Sequence, residues 1–233
     1  METVRWTPLL ALAAAGVVVA HASGLGGFAT STMFAVDRAG SAGVPVVLTC
    51  DDFSGTSGAT MSGRVVTVAS SCANAVWTTH AGTWSVQSNR AAPPSVSAAT
   101  ATLNVGAIDC TVQIGLTSLN VAGRVAGVVV SHDGSSTFLA AVLVKGPPDV
   151  AELRLYLSGA TTVLASAPTS ILSSDTLVLN RAGSKVTMTL NGSVISTVTL
   201  NASQLAALGT ARRPGLFGGN NNVRFDDLLV TTP

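Results

Sequence analysis

From residue 51 onward, apolar residues recur with a period of two, in short runs separated by Gly, Asn, Asp, Ser and Pro. A period of two places alternate side chains on opposite faces of an extended chain, so each run reads as a strand. The strands expected on this basis cover residues 64–69, 83–88, 98–105, 108–116, 125–131, 138–144, 151–157, 161–166, 176–180, 185–190, 194–200 and 223–230. That many short strands at such spacing imply an all-β chain with two stacked antiparallel sheets. The sharpest local signal is Asn191-Gly192, set between Val186-Thr187-Met188-Thr189-Leu190 and Val194-Ile195-Ser196-Thr197-Val198. Asn-Gly supplies the positive φ angles of a type I′ turn, whose twist suits a hairpin.

Alternation also assigns faces. In the run from Ile108 to Leu116, Cys110 falls with Ile108, Val112, Ile114 and Leu116 on the buried side. In Leu153-Arg154-Leu155-Tyr156-Leu157 the leucines share one face, leaving Arg154 and Tyr156 together on the other. Trp84 shares a face with Val86 and reads as core, whereas Trp77 precedes the polar Thr78-Thr79-His80 and is open to either assignment. Two segments break the pattern. Lys145-Gly146-Pro147-Pro148-Asp149 reads as a loop, because consecutive prolines cannot donate to a ladder. Ser203-Gln204-Leu205-Ala206-Ala207-Leu208 reads as a short helix, with Asn201 or Ser203 as N-cap and Gly209 as its stop.

The N-terminal part has neither periodicity. Residues 1–22 have the order of a secretory leader: Arg5, an apolar run from Leu9 to Ala20, and small residues at Ala20 and Ala22 before Ser23. Cleavage there implies a secreted or surface-displayed protein; retention would leave a membrane anchor, and a membrane is a partner only in that case. Residues 23–49 form a Gly, Ala, Ser and Thr-rich tract that reads as a linker, leaving 50–233 as the folded domain.

Composition narrows the function classes. Charged residues make up 10% of the chain and the formal net charge is +1. There is no electrostatic footprint for nucleic acid, and no acidic, weakly hydrophobic composition of the disordered kind. After a leader is removed, Cys50, Cys72 and Cys110 remain. One bridge and one thiol is the arithmetic; with Cys110 on a buried face, Cys50 with Cys72 is the expected pair, although spacing alone does not set it. No C-x-x-C spacing points to zinc.

Several short motifs then fall into a familiar order: Asp51-Asp52-Phe53-Ser54-Gly55, Trp77, Gly82-Thr83-Trp84-Ser85-Val86, Ala122-Gly123 to Val130 with Asp133, Leu190-Asn191-Gly192, Gly215-Leu216-Phe217-Gly218-Gly219 and Phe225-Asp226-Asp227. Over residues 51–230 this resembles the concanavalin A-like lectin/glucanase domains. More narrowly it is similar to the laminin-G-like jelly-roll modules of secreted bacterial and phage-tail proteins. The resemblance implies a two-sheet jelly-roll β-sandwich, a concave face that often carries glycan, and sometimes a structural calcium at the sheet rim. Such folds host unrelated functions, so the site must carry the assignment.

Candidate chemistry is sparse. The catalytic members of the resembled family carry E-x-D-x-x-E, whereas the only glutamates here are Glu2 and Glu152. A two-carboxylate glycosidase is therefore not expected. There is no G-x-S-x-G or S-x-x-K nucleophile motif. For calcium the candidates are the doublets Asp51, Asp52 and Asp226, Asp227, with remaining oxygens from backbone and water. Adjacent strand residues face opposite ways, so at most one of each doublet should line a site. For glycan the candidates are Arg154 and Tyr156, with Trp77 and His132, the latter read as a rim loop residue beside Asp133-Gly134. The expected partners are a polysaccharide or cell-surface glycan, or else further copies of this chain or other subunits in a fibre, envelope or phage-tail assembly.

Overall fold

The computed structural model describes residues 44–66, 74–96, 98–219 and 222–233. The stretch read as a leader, the part of the stretch read as a linker up to residue 43, and Cys72 lie outside the described residues. Two antiparallel sheets pack face to face in a jelly-roll β-sandwich. One sheet holds β1 (Val47–Asp51), β3 (Ser85–Val86), β4 (Ala91–Ala92), β6 (Cys110–Leu116), β11 (Thr176–Ala182), β12 (Lys185–Leu190), β13 (Ser193–Thr199) and β15 (Phe225–Thr231). The other holds β2 (Trp77–His80), β5 (Ala99–Leu103), β7 (Val125–His132), β8 (Phe138–Val144), β9 (Val150–Leu157), β10 (Ala160–Pro168) and β14 (Arg213–Gly218). The first sheet runs β13-β12-β11-β6-β15-β4-β3, with β1 also on β15; the second runs β10-β9-β8-β7-β14-β5-β2. No helix among the described residues is long and apolar enough to cross a membrane.

Local sequence explains the best-defined elements. Asn191 and Gly192 have φ of 50° and 79°, as a type I′ turn requires, and Leu190 pairs with Ser193 across it. The helix α1 (Ala202–Leu208) starts on a capping box: Asn201 Oδ1 accepts from Gln204 N–H and Gln204 Oε1 accepts from Asn201 N–H, each at 2.9 Å. Between the sheets lie Cys110, Val112, Ile114, Leu177, Leu179 and Met188 from one side and Val128, Leu139, Leu143, Leu153, Leu155 and Leu216 from the other, in one buried cluster. Cys110 is a free buried thiol, and burial pushes its pKa up to about 12, so it packs as a small hydrophobe. Cys50 is disulfide-bonded.

Several boundaries differ from the alternation pattern. The segment expected as a strand over 64–69 contributes only an isolated bridge, Val65 to Val76, within its described part. The run 83–88 shrinks to β3, because Gly82 and the turn at Ser88 and Asn89, all at positive φ, leave room for two residue pairs, Ser85 with Ala92 and Val86 with Ala91. The short strands β2, β4 and β14 had no alternation long enough to read, and β1 begins at Val47 inside the stretch read as linker. The strands that carry the two acidic doublets are neighbours: β1 runs antiparallel to β15, with Asp51 opposite Leu228. The facing rule for Asp226 and Asp227 fails, however. Three steps along β15, from Asp226 to Leu229, match two along β6, and Asp227 has φ 52°. This bulge turns both carboxylates away from the core between buried Phe225 and Leu228.

Candidate functional site

The site forms on the face of the seven-stranded sheet that points away from the core. Alternation places Glu152, Arg154 and Tyr156 of β9 there, with Phe138, Ala140 and Val142 of β8 and Thr100 and Thr102 of β5. Phe217 of β14 is level with Gly127, Val142 and Glu152 across three strand steps, and Tyr156 lies four residues beyond Glu152. On a flat sheet those positions would be about 20 Å apart. Their rings are 5.6 Å apart. Side chains that lean toward each other close part of that gap and the twist and coil of the sheet close the rest, so the rings gather over its outward face, which is concave along that diagonal.

A row of rings lines this hollow. His80 stacks on His132 at 4.4 Å, His132 on Phe138 at 4.9 Å, and Phe138 on Tyr156 at 4.3 Å. His132 joins the row because of a bulge. From Gly215 to Arg213 the partner strand β7 advances three residues, from Val129 to His132, and Ser131 has φ 55°. The extra residue changes the phase of alternation, sending Ser131 inward to meet Arg181 and His132 outward. Gly134 N–H donates to His132 Nδ1 at 2.8 Å, so the ring proton sits on Nε2 and donates to Thr100 Oγ1 at 3.0 Å. Burial, then His80, hold His132 well below its usual value, at about 4; burial and the Arg213 guanidinium lower His80. Both imidazoles are neutral at pH 7.

Beside the ring row is a cavity of about 280 Å³, where the apolar rings of Phe138 and Tyr156 meet His80, Thr100, Ser135, Ser136 and Thr161. Hydroxyls and an imidazole around an aromatic wall suit a neutral, polyhydroxylated ligand. On the other side of the β7–β8 turn a larger cavity, about 450 Å³, is lined by His132, Asp133, Asn104, Arg212 and Arg213.

The sequence candidates distribute unevenly over this geometry. Arg154 and Tyr156 do share the outward face, 3.5 Å apart from Nη1 to the hydroxyl, and Tyr156 reaches the smaller cavity. Tyr156 is nevertheless 5% exposed, since Phe138 covers one side of its ring, and Arg154 is held by Glu152 at 2.6 Å. The pair is thus part of a packed wall and not an open platform. Trp77 is corrected to core: it is 1% exposed and its Nε1–H donates to Asp51 Oδ2 at 2.6 Å. His132 is a fully buried strand residue and not a solvated rim residue, and it touches the larger cavity. Phe138, His80, Thr161, Ser135, Ser136 and Arg213 were not singled out from the sequence. The signal for Phe138 was present, because Phe138 to Val144 is apolar throughout, the mark of a strand covered on both faces.

The acidic doublets are brought near one another, with Asp51, Asp52 and Asp227 around a cavity of about 240 Å³. The donor set does not fit calcium. Asp51 Oδ2 accepts from Arg64 at 2.5 Å and from Trp77, and Oδ1 accepts from Phe53 N–H at 2.8 Å; Asp52 Oδ1 accepts from Ser54 N–H at 2.9 Å. Asp226 is paired with Arg90 at 3.2 Å. Among the described residues no three His, Cys, Asp or Glu side chains converge to hold a metal. Asp51 instead pins the seam between β1, the Arg64 loop and β2.

No protein-family model matches the sequence, and no curated protein matches it. Among solved structures, the carbohydrate binding module CBM66 from Bacillus subtilis is similar, with a TM-score of 0.50 and 16% identity over 66% of this chain and 90% of that one. The GH43 BlXynB protein from Bacillus licheniformis is similar with a TM-score of 0.51 and 12% identity. That match covers 64% of this chain and 34% of the other, so this chain spans about a third of that protein's length. At such identities the likeness shows the two-sheet fold alone.

Proposed function

We propose that this chain is a non-catalytic glycan-binding module that works outside the cytoplasm. The observation that carries the reading is the cavity on the concave face, where the rings of Phe138 and Tyr156 adjoin the polar groups of His80, Thr100, Ser135, Ser136 and Thr161. A sugar has apolar C–H faces and a rim of hydroxyls, and this wall offers both complements at once. The likeness to a structure named as a carbohydrate binding module supports the fold side of the reading. The disulfide at Cys50 supports an oxidising compartment. The lack of an E-x-D-x-x-E motif supports binding without hydrolysis: Glu152 is the one glutamate beyond Glu2, and it is bound to Arg154.

The test is a panel of immobilised oligosaccharides probed with the wild-type chain and with Ser136→Trp. Ser136 lies on the β7–β8 turn, so an indole there fills the cavity without entering the core. Binding to at least one oligosaccharide is expected, with a loss of at least tenfold in the variant. Silence of the wild type across the panel sinks the reading.

A further inference from the structure

The larger cavity, between the β7–β8 turn and the segment that joins α1 to β14, contains a cation that the fold does not use. Arg213 enters it from the first residue of β14, and its guanidinium packs on Gly134, where an added Cβ would lie 3.9 Å from Cζ and from Nε. Among the described residues the side chain has no hydrogen-bond or ion-pair partner, and it is half-buried. A guanidinium in this position retains its five donors for something else. Its neighbour Arg212 makes a single bond, from Nη1 to the Gly106 carbonyl at 3.2 Å. These two form the chain's one Arg-Arg pair, in a protein whose formal net charge is only +1.

The acid on the same wall does not neutralise them. Asp133 Oδ1 accepts from the amides of Ser135 at 2.7 Å and Thr137 at 3.2 Å, and Oδ2 accepts from Ser135 Oγ at 2.8 Å. Burial opposes its ionisation, but these hydrogen bonds outweigh it and lower its pKa. Its lone pairs are thus turned into its own loop. Asn104 Oδ1 is likewise occupied, by Gly106 N–H at 3.3 Å, which leaves its amide nitrogen as a donor. The neutral His132 has both ring nitrogens in use. What the cavity presents is donors and, with two guanidinium groups against one carboxylate, a net positive charge.

We infer that this cavity is an oxyanion site, in which Arg213 receives the carboxylate or sulfate group of an acidic polysaccharide. The inference rests on the glycan-binding reading and specifies it. The two cavities lie on either side of one turn, Ser135 and Ser136 facing one and Asp133 the other, so a single chain of sugars can place a neutral unit in the first and a charged unit in the second. Arginine suits this role because its planar fork matches a carboxylate or sulfate with two parallel hydrogen bonds.

Calorimetric titration of the full chain tests it, with oligogalacturonates, a sulfated galactan fragment and neutral galacto-oligosaccharides of the same length as probes. At least one charged series is expected to bind tenfold or more tightly than the neutral one at low salt, and to weaken as salt rises. Arg213→Gln should bring its affinity down to the neutral level while the melting temperature stays unchanged, and Arg213→Lys should restore part of it. Which charged series wins identifies carboxylate or sulfate. Equal binding of neutral and charged probes, or an Arg213→Gln variant that retains the preference, overturns the oxyanion site and leaves glycan binding standing. No binding of any of these probes overturns the oxyanion site, while glycan binding itself falls only with silence across the oligosaccharide panel.

Discussion

At the scale of single residues, His132 ties the site to pH. Its Nδ1 lone pair is committed to Gly134 N–H, so a second proton has to displace that bond as well as enter a buried ring stack. The folded protein therefore holds this histidine at about 4 against its usual 6.5. Above pH 6.5 the ring is neutral in both folded and unfolded chains and its environment is fully compatible with folding. As pH falls below that, the unfolded chain takes up the proton first and stability is lost until the folded ring also titrates near 4. The cost at pH 4.5 is about 2 to 3 kcal/mol. Urea unfolding at pH 7.0 and 4.5 should show that drop in the wild type and a clearly smaller one in His132→Gln. Identical pH dependence in the two proteins would show that the ring does not titrate as described.

At the scale of elements, the two sheets depend on glycines whose reasons differ. Gly215 on β14 and Gly127 on β7 lie where a Cβ would strike the carbonyl oxygens of Ala101 and Ala141 respectively. Close backbone approach of this kind lets the sheet coil tightly beneath the rings. Gly192 in the β12–β13 turn has nothing near its missing Cβ; only its φ of 79° asks for glycine. Gly215→Ala should therefore cost more than about 2 kcal/mol, as overpacking against backbone does. Gly192→Ala should cost only about 1 kcal/mol, from backbone strain alone. Thermal melts of the two variants check the order, and a Gly215→Ala protein as stable as the Gly192→Ala one would remove the steric account.

At the scale of the whole molecule, the sandwich is joined by more than apolar contact. Arg181 continues the inward face of Leu177 and Leu179 on β11, is 4% exposed, and reaches across to Ser131 Oγ in the opposite sheet. Its Nε donates to the Gly183 carbonyl at 3.3 Å and lies 3.6 Å from Asp109 Oδ1, a buried oxygen with no other partner. The same bulge that turns Ser131 inward to this arginine turns His132 outward to the ring row, so one irregularity in β7 serves both the inter-sheet contact and the site. Removing the guanidinium leaves polar groups buried without partners. Arg181→Ala should lower stability by about 3 kcal/mol in chemical denaturation. Wild-type stability in that variant would mean that the sheets are held by apolar packing alone.

The sequence by itself determined the fold class, the faces of the long strands, the Asn191-Gly192 hairpin and the capped helix, because each is written in neighbours a few positions apart. Alternation of period two put Arg154 and Tyr156 on one side and Cys110 on the other, and the structure keeps both assignments. It could not place residues where the period itself breaks. The bulges at Ser131 and Asp227 each insert one residue, and each reverses the faces of everything beyond it. Short strands such as β2, β4 and β14 carry too few residues to show a period at all. Coiling of the seven-stranded sheet, which brings Phe217 to Tyr156 and His80 to His132, sums small twists over many strands and has no local signature. Only the tertiary structure therefore decided which side chains face the hollow, that Trp77 belongs to the core, and that Arg213 enters its cavity without a partner.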